Sequence, residues 1–134
     1  MTLERIDPPE LARPSGFAHA VRARGTVTVH LAGQTALDAE GRIVGSSVVE
    51  QFEQALSNLL AALRAAGGGP EHLASLTIYI VDMPDYRAHA REIGAVWQRL
   101  AGRDYPATAG VGVARLWDDE ALVEVQGTAE IPAG

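Results

Sequence analysis

Few of the side chains that ordinarily carry covalent chemistry are present in this chain. Its 134 residues contain no Cys, which removes thiolate nucleophiles, thiolate zinc sites and disulfide frameworks together. Every basic side chain is Arg and none is Lys. Neither the Schiff-base lysine that anchors pyridoxal phosphate nor a phosphate-loop lysine is therefore available, and no cofactor is expected. The four histidines, His19, His30, His72 and His89, include no pair at ligand spacing on one helix face, so no metal site is expected. No G-x-S-x-G elbow occurs. Gly67-Gly68-Gly69 follows a helical stretch and precedes Pro70, which suits helix termination rather than phosphate binding. Asp118-Asp119-Glu120 reads as a solvated turn more naturally than as a carboxylate pair. Trp117 beside it is an indole in a turn, at an interface or partly buried.

The elements that must position any chemistry belong to one domain, residues 1–134. At 14.2 kDa the surface scaling gives about 67% of the unfolded surface buried on folding, enough for a core without staples. A content of 47% hydrophobic and 21% charged residues is that of a globular protein. The net charge of −6 argues against a broad nucleic-acid footprint, which needs a basic face. No apolar run reaches the roughly 18 residues of a membrane span, and no signal segment follows Met1, so a cytoplasmic protein is expected.

Pro8, Pro9 and Pro14 disfavour helix at the N-terminus. Residues 18–24, a turn at Gly25 and the alternating Thr26-Val27-Thr28-Val29-His30-Leu31 read as a β-hairpin. Arg42-Ile43-Val44 reads as a short extra strand. Ser47 followed three residues later by Glu50 is a capping box. Val48, Val49, Phe52, Leu56, Leu59, Leu60 and Leu63 then share one helical face, and the glycines at 67–69 end it. Residues 76–81 read as a central strand. Asp82 and Pro84 open a second helix with a stripe of Tyr86, Ile93, Val96, Trp97 and Leu100. Strands over 108–116 and 121–131 close the chain. The order β-β-(β)-α-β-α-β-β predicts an α+β layer with two helices on one sheet face.

Strand parity puts Ala109, Val111 and Val113 on one face, suited to packing under the helices, and Thr108, Gly110, Gly112 and Ala114 on the other. In the last strand Glu124, Gln126 and Thr128 oppose Val123, Val125 and Ala129, and in the first hairpin Thr26, Thr28 and His30 oppose Val27, Val29 and Leu31. One face is thus small and polar. Solvent can cover it, as on many antiparallel sheets, or neighbouring subunits can, with ligand pockets between them.

The segments LAGQTALDAEGRIVG, QFEQALSNLLAALRAAGGGPEHLASLTIYIVDMPDY and YPATAGVGVARL resemble the RidA family, also called YjgF or L-PSP proteins, in order and over residues 17–129. The resemblance implies a chorismate-mutase-like fold and a homotrimer whose sheets form a central barrel. Clefts for a small-molecule ligand then lie between subunits. Family members of the archetypal activity hydrolyse reactive enamines and imines, such as 2-aminoacrylate, to the 2-oxo acid and ammonia. Their arginine, which follows Pro-Ala and grips the substrate carboxylate, is replaced here by Thr108 after Pro106-Ala107. The water-positioning glutamate of the last strand falls on Gln126 if the turn near Trp117 holds one extra residue. Glu124 lies two residues earlier on the same face. Gln can hold a water but cannot take its proton at neutral pH. The N-terminal aromatic, usually tyrosine, is matched by Phe17. The turn Ala32-Gly33-Gln34 matches and offers backbone amides, and Gly110 shares the face of Thr108. Arg115 belongs to the ARL motif and is expected to be structural, on the opposite face from Thr108.

The expectation is therefore a ligand-binding trimer with weakened or altered imine hydrolase activity. An active deaminase using other groups and a non-catalytic binding or chaperone-like module are the alternatives. The family's older labels of translation inhibitor and endoribonuclease sit poorly with a chain of charge −6 and no Lys.

Overall fold

A computed structural model describes residues 3–134. Strands β1 (Leu3–Ile6) and β2 (Ala20–Ala23) form a two-stranded antiparallel sheet. The main sheet contains β3 (Thr26–Gln34), β4 (Leu73–Ile80), β5 (Ala107–Gly112) and β6 (Val123–Pro132), in the order β3-β6-β4-β5. All its pairs are antiparallel except β4 with β5. That parallel pair requires a crossover, supplied by helices α2 (Met83–Ala88) and α3 (Ala90–Ala101). Helix α1 (Val48–Ala65) links β3 to a single 3-10 turn at Pro70–His72 and then to β4.

Helix α1 forms where the sequence specifies it. The Ser47 side chain accepts the amide of Glu50, and the Glu50 carboxylate accepts the amide of Ser47, closing the capping box. At the other end Gly67 adopts φ +93°, and the amides of Gly67 and Gly68 reach the carbonyls of Arg64 and Leu63. That is a Schellman closure, which a glycine makes at little steric cost. Phe52, Leu56, Leu59 and Leu63 are buried against Leu73, Leu76, Ile80, Val123 and Val125 of the sheet, and α3 adds Ile93, Val96 and Trp97. The core therefore lies on one sheet face, under α1 and α3.

Several local expectations are corrected. Residues 18–24 and 26–31 form no hairpin with each other, because β2 pairs along its length with β1 and β3 pairs with β6. Gly25, at φ +61°, is the corner between the two sheets. Alternation shows that a segment is a strand, not which strand it pairs with. Residues 42–44 make only an isolated bridge between Ile43 and Leu37. The second helix breaks at His89, which caps both pieces. Strand β5 stops at Gly112: the amide of Val113 bonds the carbonyl of Ile80, where β4 ends, and no partner extends further.

The most consequential correction concerns the faces of β5. Register pairs Thr108 with Leu76, Gly110 with Ile78 and Gly112 with Ile80. In a parallel pair such neighbours share a face, and Leu76 and Ile80 are core residues. Thr108, Gly110 and Gly112 therefore face the helices, and a β-carbon on Gly110 would touch Ile80. Ala109 and Val111 face the other way, and Val111 is 40% exposed. Apolar character misassigned this strand because its helix side is made of small residues, while its larger side chain stands on the open face.

Candidate functional site

The residues expected to form a site fall into two groups. The first surrounds Thr108. The chain at Phe17-Ala18 runs beside the start of β5, held by a bridge between Ala18 and Ala107 and by the Ala18 amide on the Pro106 carbonyl at 3.1 Å. Phe17 and Thr108 line one groove together. Arg5 steadies this region: its guanidinium donates to the carbonyls of Tyr105, Asp104 and Glu71 at 2.9–3.2 Å. The Thr108 hydroxyl donates to the carbonyl of Pro106 at 2.9 Å. It is thus left with lone pairs to accept from a ligand N–H, and no free proton to donate. No arginine lies among the residues that line the grooves about Thr108. Arg115, beyond the end of β5, is mostly exposed and ion-paired with Asp119.

The second group lies on the open face of the sheet. Register places Glu124 beside Tyr79 and Gln126 beside Thr77. The amide oxygen of Gln126 accepts the Tyr79 hydroxyl at 3.0 Å. Glu124 packs its carboxylate over Gly33, so closely that a β-carbon on residue 33 would overlap it. A glycine there allows this seat for the carboxylate, since any side chain would displace it, and the backbone conformation makes no such demand. Gln34, just past the irregularity in the β3–β6 register, pairs with Val125. Glu124 is the carboxylate of this group and the one member that can take a proton from water at neutral pH.

Two features of the neighbourhood escaped the sequence. Tyr79 anchors Gln126, and parity within β4 could have found it, since it alternates with the core residues Ile78 and Ile80. The other is a cavity of about 320 Å³ between α3 and the β4–β5 edge, bordered by Thr108, Leu76, Tyr86, Gly94, Trp97 and Tyr105 among others. Trp97 stacks on Tyr105, ring centroids 6.3 Å apart. The indole Nε1–H of Trp97 is buried and, alone among such side-chain atoms of the described residues, has no hydrogen-bond partner. An unmet donor of that kind costs about 1–3 kcal/mol. Burial pushes the Tyr86 hydroxyl up to about 12, so it stays neutral. Gly94 costs α3 about 0.5–1 kcal/mol relative to alanine. A signal existed for it: a glycine in the middle of a helical stripe.

Among the described residues no group of three or more His, Asp or Glu side chains is placed to hold a metal ion. No helix of the described residues is long and apolar enough to cross a membrane.

Comparison with known proteins places this geometry. The family model described as Endoribonuclease L-PSP matches residues 10–131. A RutC family protein of Synechocystis is 36% identical over 98% of this chain and 99% of its own. The goat (Capra hircus) protein named 2-iminobutanoate/2-iminopropanoate deaminase is 32% identical over 66% of this chain and 63% of its own. The crystal structure of a Rid family protein of unknown function from Yersinia pestis superimposes with a TM-score of 0.87 at 34% identity, covering 98% of this chain and all of the other. With an α+β sheet of the same architecture and a match along nearly its whole length, the chain belongs to the RidA/YjgF (L-PSP) family.

Proposed function

We propose that the protein is a homotrimeric, cytoplasmic RidA-family member that binds a small metabolite in a cleft between subunits. Its imine or enamine hydrolase activity on anionic imino acids is weakened by Thr108. The observation that carries this reading is the separation of the two groups. Thr108 and Gly110 lie on the helix side of the sheet, with Phe17 beside the outer edge of β5, while Gly33, Gln34, Glu124 and Gln126 lie on or beside the open face. A cleft that uses both needs a second copy to bring one group to the other. The partly exposed Val111 on the open face supports such a covering.

In this cleft Glu124 takes a proton from a water as the water oxygen attacks the imine carbon, and the protonated Glu124 returns that proton to the nitrogen. The resulting carbinolamine collapses to the carbonyl product and expels ammonia. Gln126, held by Tyr79, orients the water. The chemistry needs no cofactor. What is missing is a grip on a carboxylate: a charge-assisted hydrogen bond is worth about 1.5–3 kcal/mol. Its loss weighs most on the smallest imino acids, which have little else to hold them. The goat relative's name, an imine deaminase, supports the reaction class.

The test combines sedimentation at micromolar concentration with hydrolysis of imino acids generated in situ by an amino-acid oxidase and trapped by semicarbazide. A trimer with slow but measurable hydrolysis is expected. A monomer would overturn the intersubunit cleft, and turnover at the rate of an arginine-bearing relative would overturn the weakened activity.

A further inference from the structure

Thr108 borders two spaces, the groove with Phe17 and the cavity between α3 and the β4–β5 edge. None of the residues lining that cavity carries a formal charge. Its walls include the rings of Phe52, Tyr86, Trp97 and Tyr105. At about 320 Å³ it is at the small end of ligand pockets, the size for a single ring with a short substituent.

The third observation is Gly94. It sits inside α3, where glycine is among the poorest residues. Its φ is not positive, and a β-carbon built on it would have nothing within 4 Å. Neither backbone conformation nor packing calls for a glycine. The space its side chain would take is the exposed rim of the cavity. The fourth observation is Trp97, whose indole lines the same wall and whose buried N–H has no partner within the protein.

We propose that this cavity selects the substrate class: it receives the aromatic or compact apolar substituent of an uncharged imine or ketone, with Gly94 keeping its mouth clear. The identity of the ligand as an imine or its carbonyl product rests on the function proposed above. The cavity itself is built from one chain and does not depend on the trimer. An anion is disfavoured twice, by a lining without positive charge and by a protein of net charge −6.

The test uses a matched pair that shares the ring and the ketone and differs in the carboxylate, acetophenone and phenylglyoxylate. Binding is followed on the full-length protein by the indole N–H signals in ¹H–¹⁵N NMR, the two being assigned with Trp117→Phe. The expected result is a saturable shift of the Trp97 signal with acetophenone, at a concentration at least tenfold below that required for phenylglyoxylate. Gly94→Leu then weakens acetophenone at least tenfold, and if that variant does not fold, Ala90→Leu on the same wall replaces it. Equal or tighter binding of phenylglyoxylate would overturn the proposal. So would absence of any Trp97 shift, or an affinity for acetophenone unchanged by the wall substitution. Sedimentation separates the two readings. A monomer that still binds acetophenone through Trp97 sinks the intersubunit cleft and leaves the cavity standing. A trimer that hydrolyses imines without using this wall does the reverse.

Discussion

Thr108 and Gln126 stand on opposite faces of one sheet: Thr108 is paired with Leu76 of the covered face, and Gln126 with Thr77 of the open one. Two residues expected to share a ligand are therefore separated by the thickness of the sheet within a single chain. The consequence is structural economy of a particular kind. On the proposed function, each chain carries half of a site on either side, and association of copies turns the halves toward each other.

The contact between Glu124 and Gly33 has a measurable consequence. Gly33→Ala forces the carboxylate off its seat without straining the backbone, since Gly33 does not adopt a positive φ. Imine hydrolysis should fall about tenfold, the equivalent of about 1.4 kcal/mol, while the urea midpoint barely moves. Glu124→Gln should lose at least as much. Combining the two should add little, because both act through one carboxylate. Additive losses would show that Gly33 acts independently of Glu124.

Gln51 is nearly fully buried, and its amide bonds the carbonyls of Gly45 and Glu120 and the amide of Leu122. It thereby fixes the loop before α1 and the loop before β6 to the helix. Gln51→Leu keeps the volume and strands those backbone groups, each at about 1–3 kcal/mol. A net loss of about 3 kcal/mol is expected in urea unfolding. A change below 0.5 kcal/mol would show that water replaces the amide.

The cap of α1 couples stability to pH. Hydrogen bonds from the Ser46 hydroxyl and amide and from Ser47 hold the Glu50 carboxyl below its ordinary value of 4.5. A depressed carboxyl contributes stability above its unfolded value and loses it as the pH falls through the folded one. Stability should therefore decline as the pH drops below about 4.5, and Glu50→Gln should flatten part of that slope. Ser47→Ala should cost about 1 kcal/mol at neutral pH. An unchanged slope in Glu50→Gln would assign the acid sensitivity to other carboxyls.

At Gly94 the expected change is a gain. Gly94→Ala meets nothing within 4 Å and should stabilise the protein by about 0.5–1 kcal/mol through helix propensity and a less flexible unfolded chain. Thermal unfolding of the variant measures it. A loss of stability would mean that the rim of the cavity is already filled in the assembled protein.

The sequence was most legible where one residue type has one local use. Ser47 and Glu50 specified the start of α1, and the glycines after Ala66 specified its end, because caps are decided by neighbours three or four residues away. Long-range pairing was less legible. Val27 and Val29 alternate as well for a hairpin with residues 20–23 as for the β6 partner they take, and only the whole sheet decides between them. The faces of β5 were misread because Gly110 and Gly112 carry no side chain to announce burial, whereas Val111 looked like a core residue. That error also joined Thr108 to Gln126 on one face, so the site residues were chosen by resemblance while their division between two faces was hidden. The cavity beside Trp97 depends on how α3 packs across β4 and β5, a tertiary fact that no local pattern carries.

The most direct test of the proposed function is imine hydrolysis by the natural protein and by Thr108→Arg, with semicarbazide trapping of 2-iminopropanoate as the readout. The expected result is at least a tenfold higher kcat/KM for Thr108→Arg, since the restored guanidinium is worth about 1.5–3 kcal/mol on a carboxylate. Loss of that gain in the Thr108→Arg, Glu124→Gln double variant should accompany it. Hydrolysis by the natural protein that is as fast as by Thr108→Arg would contradict it, because the cleft would then grip a carboxylate without the arginine.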